Sequence, residues 1–453
     1  MKTPIAAELA RAVARAREGG LPPALRETME MLLLDIGGLC VAARETDYVR
    51  AALESWESEG DSTAIGHARA LDAAGAAFVN GTAAHGEDFD DTFEGGPVHA
   101  GAVIVPALLA VAERRNLGGS DLLFGLAVGV EVTCRGSLVA PKRIHKAGFH
   151  PTAVFGALGA AAGVSSALRL DTGQWCNALG IAGSMASGII EYLAEGAWTK
   201  RMHPGWAAQA GYRAARMAQA GFTGPRTLFE GEHGFFHAFA NSDRCDFSAM
   251  LDGAGVVWLA ADIAFKPYAC GTMAHPYIDC ARKLVAEGVS SEDVIAVECK
   301  TAEGIVHRLW EPLAAKQHPP NGYAAKFSIP YAIAVAMLRG DAGLDEYGEA
   351  VVHDRAIRAL ASKVSYVVDP DNPYPRQFTG HVRVTLSSGE VREAVQGHFR
   401  GGREEPMSAE DLEAKFMANC AYGGWNEARA RSALAALGRM RAAPKVILDE
   451  LRE

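Results

Sequence analysis

The chain has 453 residues, of which 49% are hydrophobic and 22% charged, with a formal net charge of −10 at pH 7. That length allows two or three domains around a large core, and the composition is that of an ordinary globular protein. The acid excess, with no run of Lys and Arg, argues against a nucleic-acid partner, which needs a clustered basic surface.

The eight cysteines (Cys40, Cys134, Cys176, Cys245, Cys270, Cys280, Cys299, Cys420) are scattered and form no CxxC pair. They read as reduced thiols of a cytoplasmic protein rather than as a disulfide framework. The first twenty residues alternate charge with Ala and Leu and hold no apolar run of signal-peptide type. Residues 3–45 give two helical patterns, broken at Gly19-Gly20 and Pro22-Pro23. In the second, Met29, Leu32, Leu33, Ile36 and Leu39 recur at helical spacing and should be core. Residues 47–58 read as a third helix. From Asp72 to Gly221, Ala/Gly-rich apolar helices alternate with loops rich in Gly, His and charge, which predicts an all-α domain with closely approaching helices. The longest uncharged stretch, residues 147–168, has the length of a membrane span. Its small residues, with His150 and Pro151 near its start, point instead to a packed bundle helix, so no membrane segment is expected.

The pattern changes near Phe265. Residues 294–300 (VIAVECK) alternate as a strand, as do 364–368, 381–386 and 390–395, and Ser387-Ser388-Gly389 reads as a hairpin turn. Helical patterns at 273–287, 329–339 and 354–362 lie between them. After Gly401-Gly402, Ser408 and Asn426 are caps for two further helices. The expectation is a mainly α protein: an all-helical domain over 1–265, an inserted α+β domain over 266–400, and C-terminal helices over 401–453 that return to the first.

Ionisable residues concentrate in one loop, NGTAAHGEDFDDTFEGGPVHAG, where His85, Glu87, Asp88, Asp90, Asp91, Thr92 and His99 fall within fifteen positions between two apolar helices. Such groups are costly there unless paired or functional. The acids suit helix capping, metal ligation or an acid–base site. Metal ligation is disfavoured, because two His on adjacent turns with a third ligand are lacking. Four more stretches carry chemistry: RIHKAGFHPT with His150, GAWTKRMHPG with Lys200, Arg201 and His203, FKPYACGTMAH with His275, and NGYAAKFSIPY. Taken singly, a histidine at a helix start is usually a cap or a satisfied core group, and a Lys-Arg pair is usually solvated. Together they suit a small anionic ligand, whose carboxylates Lys or Arg can meet.

The blocks NGTAAHGEDFDDT…HAG, GFHPTAVFGALGAAA, GIAGSMASGIIEY, TKRMHPGWAAQAG, FKPYACGTMAHPYID and AKFSIPYAIA follow in order and together resemble the MmgE/PrpD family over residues 5–440. The family includes 2-methylcitrate dehydratase, cis-aconitate decarboxylase and iminodisuccinate epimerase. The resemblance implies a large helical domain with a smaller lid domain, a homodimer, a site between the domains, and no metal or organic cofactor. It also implies His99, His150 and Asp88 as catalytic residues, with Thr92, Lys200 and His275 binding a polycarboxylate. His99 and His150 would serve as base and acid titrating near neutral pH, and Asp88 would orient a histidine. Two departures stand out: His99-Ala100-Gly101 replaces His-Pro-Gly or His-Pro-Ser, and GIVHRLWEP stands where the decarboxylase branch supplies a tyrosine. Dehydration of a 2-hydroxy di- or tricarboxylate is the first expectation. Epimerisation of an imino- or amino-dicarboxylate, decarboxylation of the cis-aconitate kind, and a non-enzymatic carboxylate-binding dimer are the alternatives.

Overall fold

The computed structural model describes residues 3–242, 244–438 and 448–452. The fold is mostly helical and divides into two compact units. The larger holds the residues up to Gly86, Asp90–Ala264 and those from Ser408 on; the smaller holds Glu87–Phe89 and Phe265–Met407.

In chain order the longer helices of the larger unit are α1 (Ile5–Gly19), α2 (Pro23–Ala43), α3 (Ala73–Gly86), α4 (Gly101–Arg115), α5 (Gly119–Val139), α6 (Pro151–Ala167), α7 (Thr172–Met185) and α8 (Thr199–Gln219). The smaller unit adds α9 (His275–Ala286) and α10 (Ile329–Arg339), after which α11 (Ala409–Tyr422) and α12 (Glu427–Gly438) return to the larger one. Every residue of α3 and α6 is buried, so neither helix has a solvent face. Small residues make this possible. A Cβ on Gly81 would lie 2.6 Å from the Cα of Gly205, so α3 and α8 touch backbone to backbone. A Cβ on Gly159 would meet the Gly129 carbonyl at 2.6 Å, which brings α6 equally close to α5.

Helix α5 is the one described helix long and apolar enough to cross a membrane; 94% of its most apolar window is buried inside the fold. It holds a buried Glu131–Arg135 pair, with N–O 2.5 Å. The 147–168 stretch singled out above forms the shorter α6. The helix expected over 47–58 stops at Glu54, because Glu59–Thr63 pairs antiparallel with Ala70–Leu71. At the C-terminus, Ser408 and Asp411 form a capping box on α11. That helix packs on α2 through a buried Lys415–Asp35 ion pair at 2.7 Å.

The smaller unit is a four-stranded sheet with helices. Its strands are β1 (Val294–Thr301), β2 (Val364–Val368), β3 (Gly380–Leu386) and β4 (Val391–Gln396), in the spatial order β2-β1-β3-β4. β1 and β2 run parallel and the other neighbours antiparallel. Val297, Cys299, Val382, Val384 and Ala394 are buried, and α9 packs against β3 and β4. Phe265 and residues 401–407 fall in this unit rather than outside it, since the Phe265 N–H donates to the Gly401 carbonyl at 3.0 Å.

Candidate active site

In the larger unit the chain leaves α3 at His85-Gly86 and enters α4 at Gly101. Asp91 does the work of a helix-end acid: its two carboxylate oxygens accept from the Gly101 N–H at 2.9 and 3.1 Å. Thr152, in the first turn of α6, accepts from the backbone N–H of His99 at 3.1 Å. The two helix starts are thereby tied together, and His99 and His150 are both placed at the same end of the bundle.

His85 sits at the centre. Its Nδ1 is 2.7 Å from Asp90 Oδ2, with both side chains fully buried. Its ring centroid is 5.0 Å from that of His99 and 5.6 Å from that of His150. His99 places Nδ1 2.8 Å from the Asp91 carbonyl. A carbonyl only accepts, so this nitrogen carries the hydrogen. Asp90 Oδ1 lies 3.6 Å from the same Nδ1, a counter-charge for a doubly protonated ring.

His150 caps α6. Its N–H donates to the Gly188 carbonyl at 2.8 Å, and its Nδ1 meets that of His203 at 3.2 Å. Burial, then the neighbouring His85 and Lys200, pushes the His150 pKa well below 6.5. The same causes bring His203 down to about 4. The expectation that His150 titrates near neutral pH is therefore corrected: burial among other cationic groups keeps it uncharged there. Lys200, half-buried in the first turn of α8, is close enough to disfavour a charge on both rings.

Of the residues expected from the sequence, the larger unit brings together His99, His150 and Lys200. Thr92 also lies in it, half-buried in a two-residue strand paired with Ile263–Ala264. Asp88 and His275 belong to the smaller unit. Asp88 has φ 56°, and Lys266 Nζ donates to its Oδ1 at 2.8 Å and its carbonyl at 2.7 Å. Next to it, Lys326 Nζ donates to Glu87 Oε2 at 2.8 Å. In the histidine cluster Asp90 is a carboxylate bonded to a ring, that of His85. His275 is fully buried, with Nε2 3.2 Å from the Cys270 carbonyl and its ring against Tyr268 and Phe399.

Three cluster members were singled out in the sequence only as part of their loops and given no role there: His85, Asp90 and His203. One signal was present for the last, since Lys200 and His203 are three apart on a helix and share a face. Donor atoms of His85, Asp90 and His99 all lie within 4.8 Å of one another, and these residues could hold a divalent cation. Such an ion would compete with the His85–Asp90 hydrogen bond.

Buried imidazoles, a carboxylate and an adjacent lysine are the kinds of group that general acid–base chemistry uses. Residues 7–248 match the MmgE/PrpD N-terminal domain and residues 268–437 the MmgE/PrpD C-terminal domain, and the chain belongs to the MmgE/PrpD family. It is 32% identical over 358 residues to human cis-aconitate decarboxylase, covering 76% of this chain and 72% of that one. Over 437 residues it is 26% identical to the cis-aconitate decarboxylase-like protein oryM of Aspergillus oryzae, covering 91% and 89%. Over 445 residues it is 26% identical to cis-aconitate decarboxylase of Aspergillus terreus, covering 92% and 89%. The chain is thus an enzyme of the lyase class or a closely related isomerase.

Proposed function

We propose that the chain catalyses an elimination beside a carboxylate of a small di- or tricarboxylate, with His150 as base and His99 as acid. The observation that carries this reading is the unequal placing of the two imidazoles around His85. His150 is held uncharged by burial, so its ring keeps a lone pair with which to take a proton at neutral pH. His99 has a fixed Nδ1–H and a carboxylate 3.6 Å away, which suits one that must give a proton from Nε2. In dehydration of a 2-hydroxy acid of the 2-methylcitrate type, the C–H electron pair becomes the alkene and its proton goes to His150. The C–O bond breaks, and the departing hydroxyl takes the proton of His99 and leaves as water. Lys200 and Thr92 hold a carboxylate of the bound substrate by charge and hydrogen bond.

A second reading is favoured by the relatives, which are cis-aconitate decarboxylases. There the C–C bond to one carboxylate breaks, CO₂ leaves, and the shifted electron pair is protonated by His99. Proton NMR in D₂O with 2-methylcitrate, citrate, malate, cis-aconitate and aspartate-derived acids separates the readings. New alkene signals from a hydroxy acid support dehydration, and loss of cis-aconitate with CO₂ release supports decarboxylation. Deuterium exchange without net reaction would mean an epimerase and overturn both. On the active substrate, His99→Gln and His150→Gln should each lower turnover by about 10²–10⁴. Wild-type turnover in both variants places the site elsewhere.

The homodimer implied by the family resemblance is part of this proposal. It is supported by exposed Ile189, Leu193, Trp198, Trp206 and Phe222. A single sedimenting species near the chain mass of 47.9 kDa at micromolar concentration would refute it.

A further inference from the structure

The contact between His150 and His203 has no part in the chemistry above. The two Nδ1 atoms are 3.2 Å apart, and the rings lie 5.4 Å between centroids with planes at 41°. A hydrogen bond between two imidazole nitrogens needs one N–H and one lone pair. Both rings are uncharged near neutral pH, so a single hydrogen is shared and the rings take opposite tautomers. When His150 holds that hydrogen, its Nε2 carries a lone pair and is basic. When His203 holds it, the His150 hydrogen sits on Nε2 and the ring cannot accept a proton there.

The surroundings fix both rings. His150 is anchored by its backbone N–H on Gly188. Gly188, at φ +119°, lies flat on His203: a Cβ there would be 3.3 Å from the Cγ and Cε1 of His203 and 2.7 Å from the Ala153 Cβ. The Tyr192 ring stands edge-on to both, at 6.1 Å from His150 and 5.8 Å from His203. His203 is buried in α8 and places its Nδ1 against that of His150.

We propose that His203 is a positioning residue: its Nδ1 accepts from His150 Nδ1–H and holds His150 in the tautomer whose basic nitrogen is Nε2. The proposal rests on the reading of His150 as the base, and the test keeps the two apart. ¹⁵N-histidine spectra of the full-length protein without substrate, with the His150 signals assigned by their loss in His150→Gln, report the tautomer directly. The expected wild-type spectrum has a protonated Nδ1 and an unprotonated Nε2 on His150. His203→Asn places an amide oxygen where Nδ1 stood and should keep that pattern and the turnover. His203→Leu fills the space without an acceptor. It should mix the His150 tautomers and lower kcat by about tenfold or more, with KM changed less than about threefold.

An unprotonated His150 Nδ1 in the wild type overturns the proposal, as does a Leu variant with unaltered His150 signals and kcat. Should the Leu variant fail to fold, the wild-type and Asn spectra still decide. If His150→Gln retains turnover, the base assignment falls, while the spectra still settle which ring holds the shared hydrogen.

Discussion

Asp90→Asn tests the electrostatics of the cluster with almost no change of shape. The substitution keeps an oxygen that can accept from His85 Nδ1 but removes the charge that faces His99 across 3.6 Å. A unit charge at that distance from a protonated imidazole stabilises it by roughly 4–5 kcal/mol at an effective dielectric of about 20. The His99 side chain retains 16% exposure, and water reaching the ring reduces this to about half, some 2–3 kcal/mol. If His99 must be charged to give its proton, kcat should fall about 30- to 150-fold at neutral pH. KM should hold within about threefold, because Asp90 has no place at the substrate carboxylates. Steady-state kinetics on the substrate identified by NMR supply the measurement, and circular dichroism checks the fold. An Asp90→Asn enzyme with wild-type kcat across pH 6–8 would show that the counter-charge is not used, and His99 would lose its role as acid.

Stability should respond to acid through the uncharged histidines. His203 drops from its ordinary 6.5 to about 4 on folding, so between those pH values the unfolded chain binds more protons. Its contribution is therefore fully present above pH 6.5 and lost as pH falls toward 4, amounting to roughly 3 kcal/mol at 1.36 kcal/mol per pH unit. Tm measured from pH 7.5 to 4.5 should fall less steeply in His203→Asn than in wild type; parallel curves would contradict the assignment. Lys200→Met keeps the stem but removes the charge, and should weaken substrate binding by about 2–5 kcal/mol, read as a raised KM at near-constant kcat. A lowered kcat at constant KM would give Lys200 a different task. Activity should survive exhaustive dialysis against EDTA with metal content checked by mass spectrometry. Loss of activity restored by a divalent ion would make His85, Asp90 and His99 a metal centre.

Locally encoded features were legible in the sequence. The bounds Ile329–Arg339 and Val364–Val368 follow from apolar periodicity and β-branched alternation alone, and the Ser408 and Asn426 caps sit where the oxygen-bearing side chains predict. The family was legible too, in six short blocks. What sequence spacing does not carry is partner choice. Asp88, Asp90 and Asp91 are chemically equivalent on paper, yet one meets a lysine 178 residues away, one a histidine and one a helix start. His203 follows Lys200 and Arg201, a pair that taken alone reads as solvated, and nothing in that stretch marks it as buried. Its burial comes from α8 packing on α3 and α6, which no local pattern announces. The third helix was overextended for a similar reason: the strand that ends it finds its partner beyond a loop.

The grouping of Glu87–Phe89 with the smaller unit bears on how the gene can be cut. Lys266 and Lys326 are buried against Asp88 and Glu87, which precede them by 178 and 239 residues. On a ribosome moving at about 5–20 residues per second, Asp88 waits roughly 9–36 s for its lysine, so this pairing closes late in synthesis. An excised fragment covering residues 265–407 would hold two lysines evolved for burial and neither carboxylate. Each uncompensated ammonium group costs about 3–5 kcal/mol. The smaller unit is therefore not a transferable cassette, despite its nearly continuous sequence. A graft into another protein would have to carry a tripeptide from the far side of the chain.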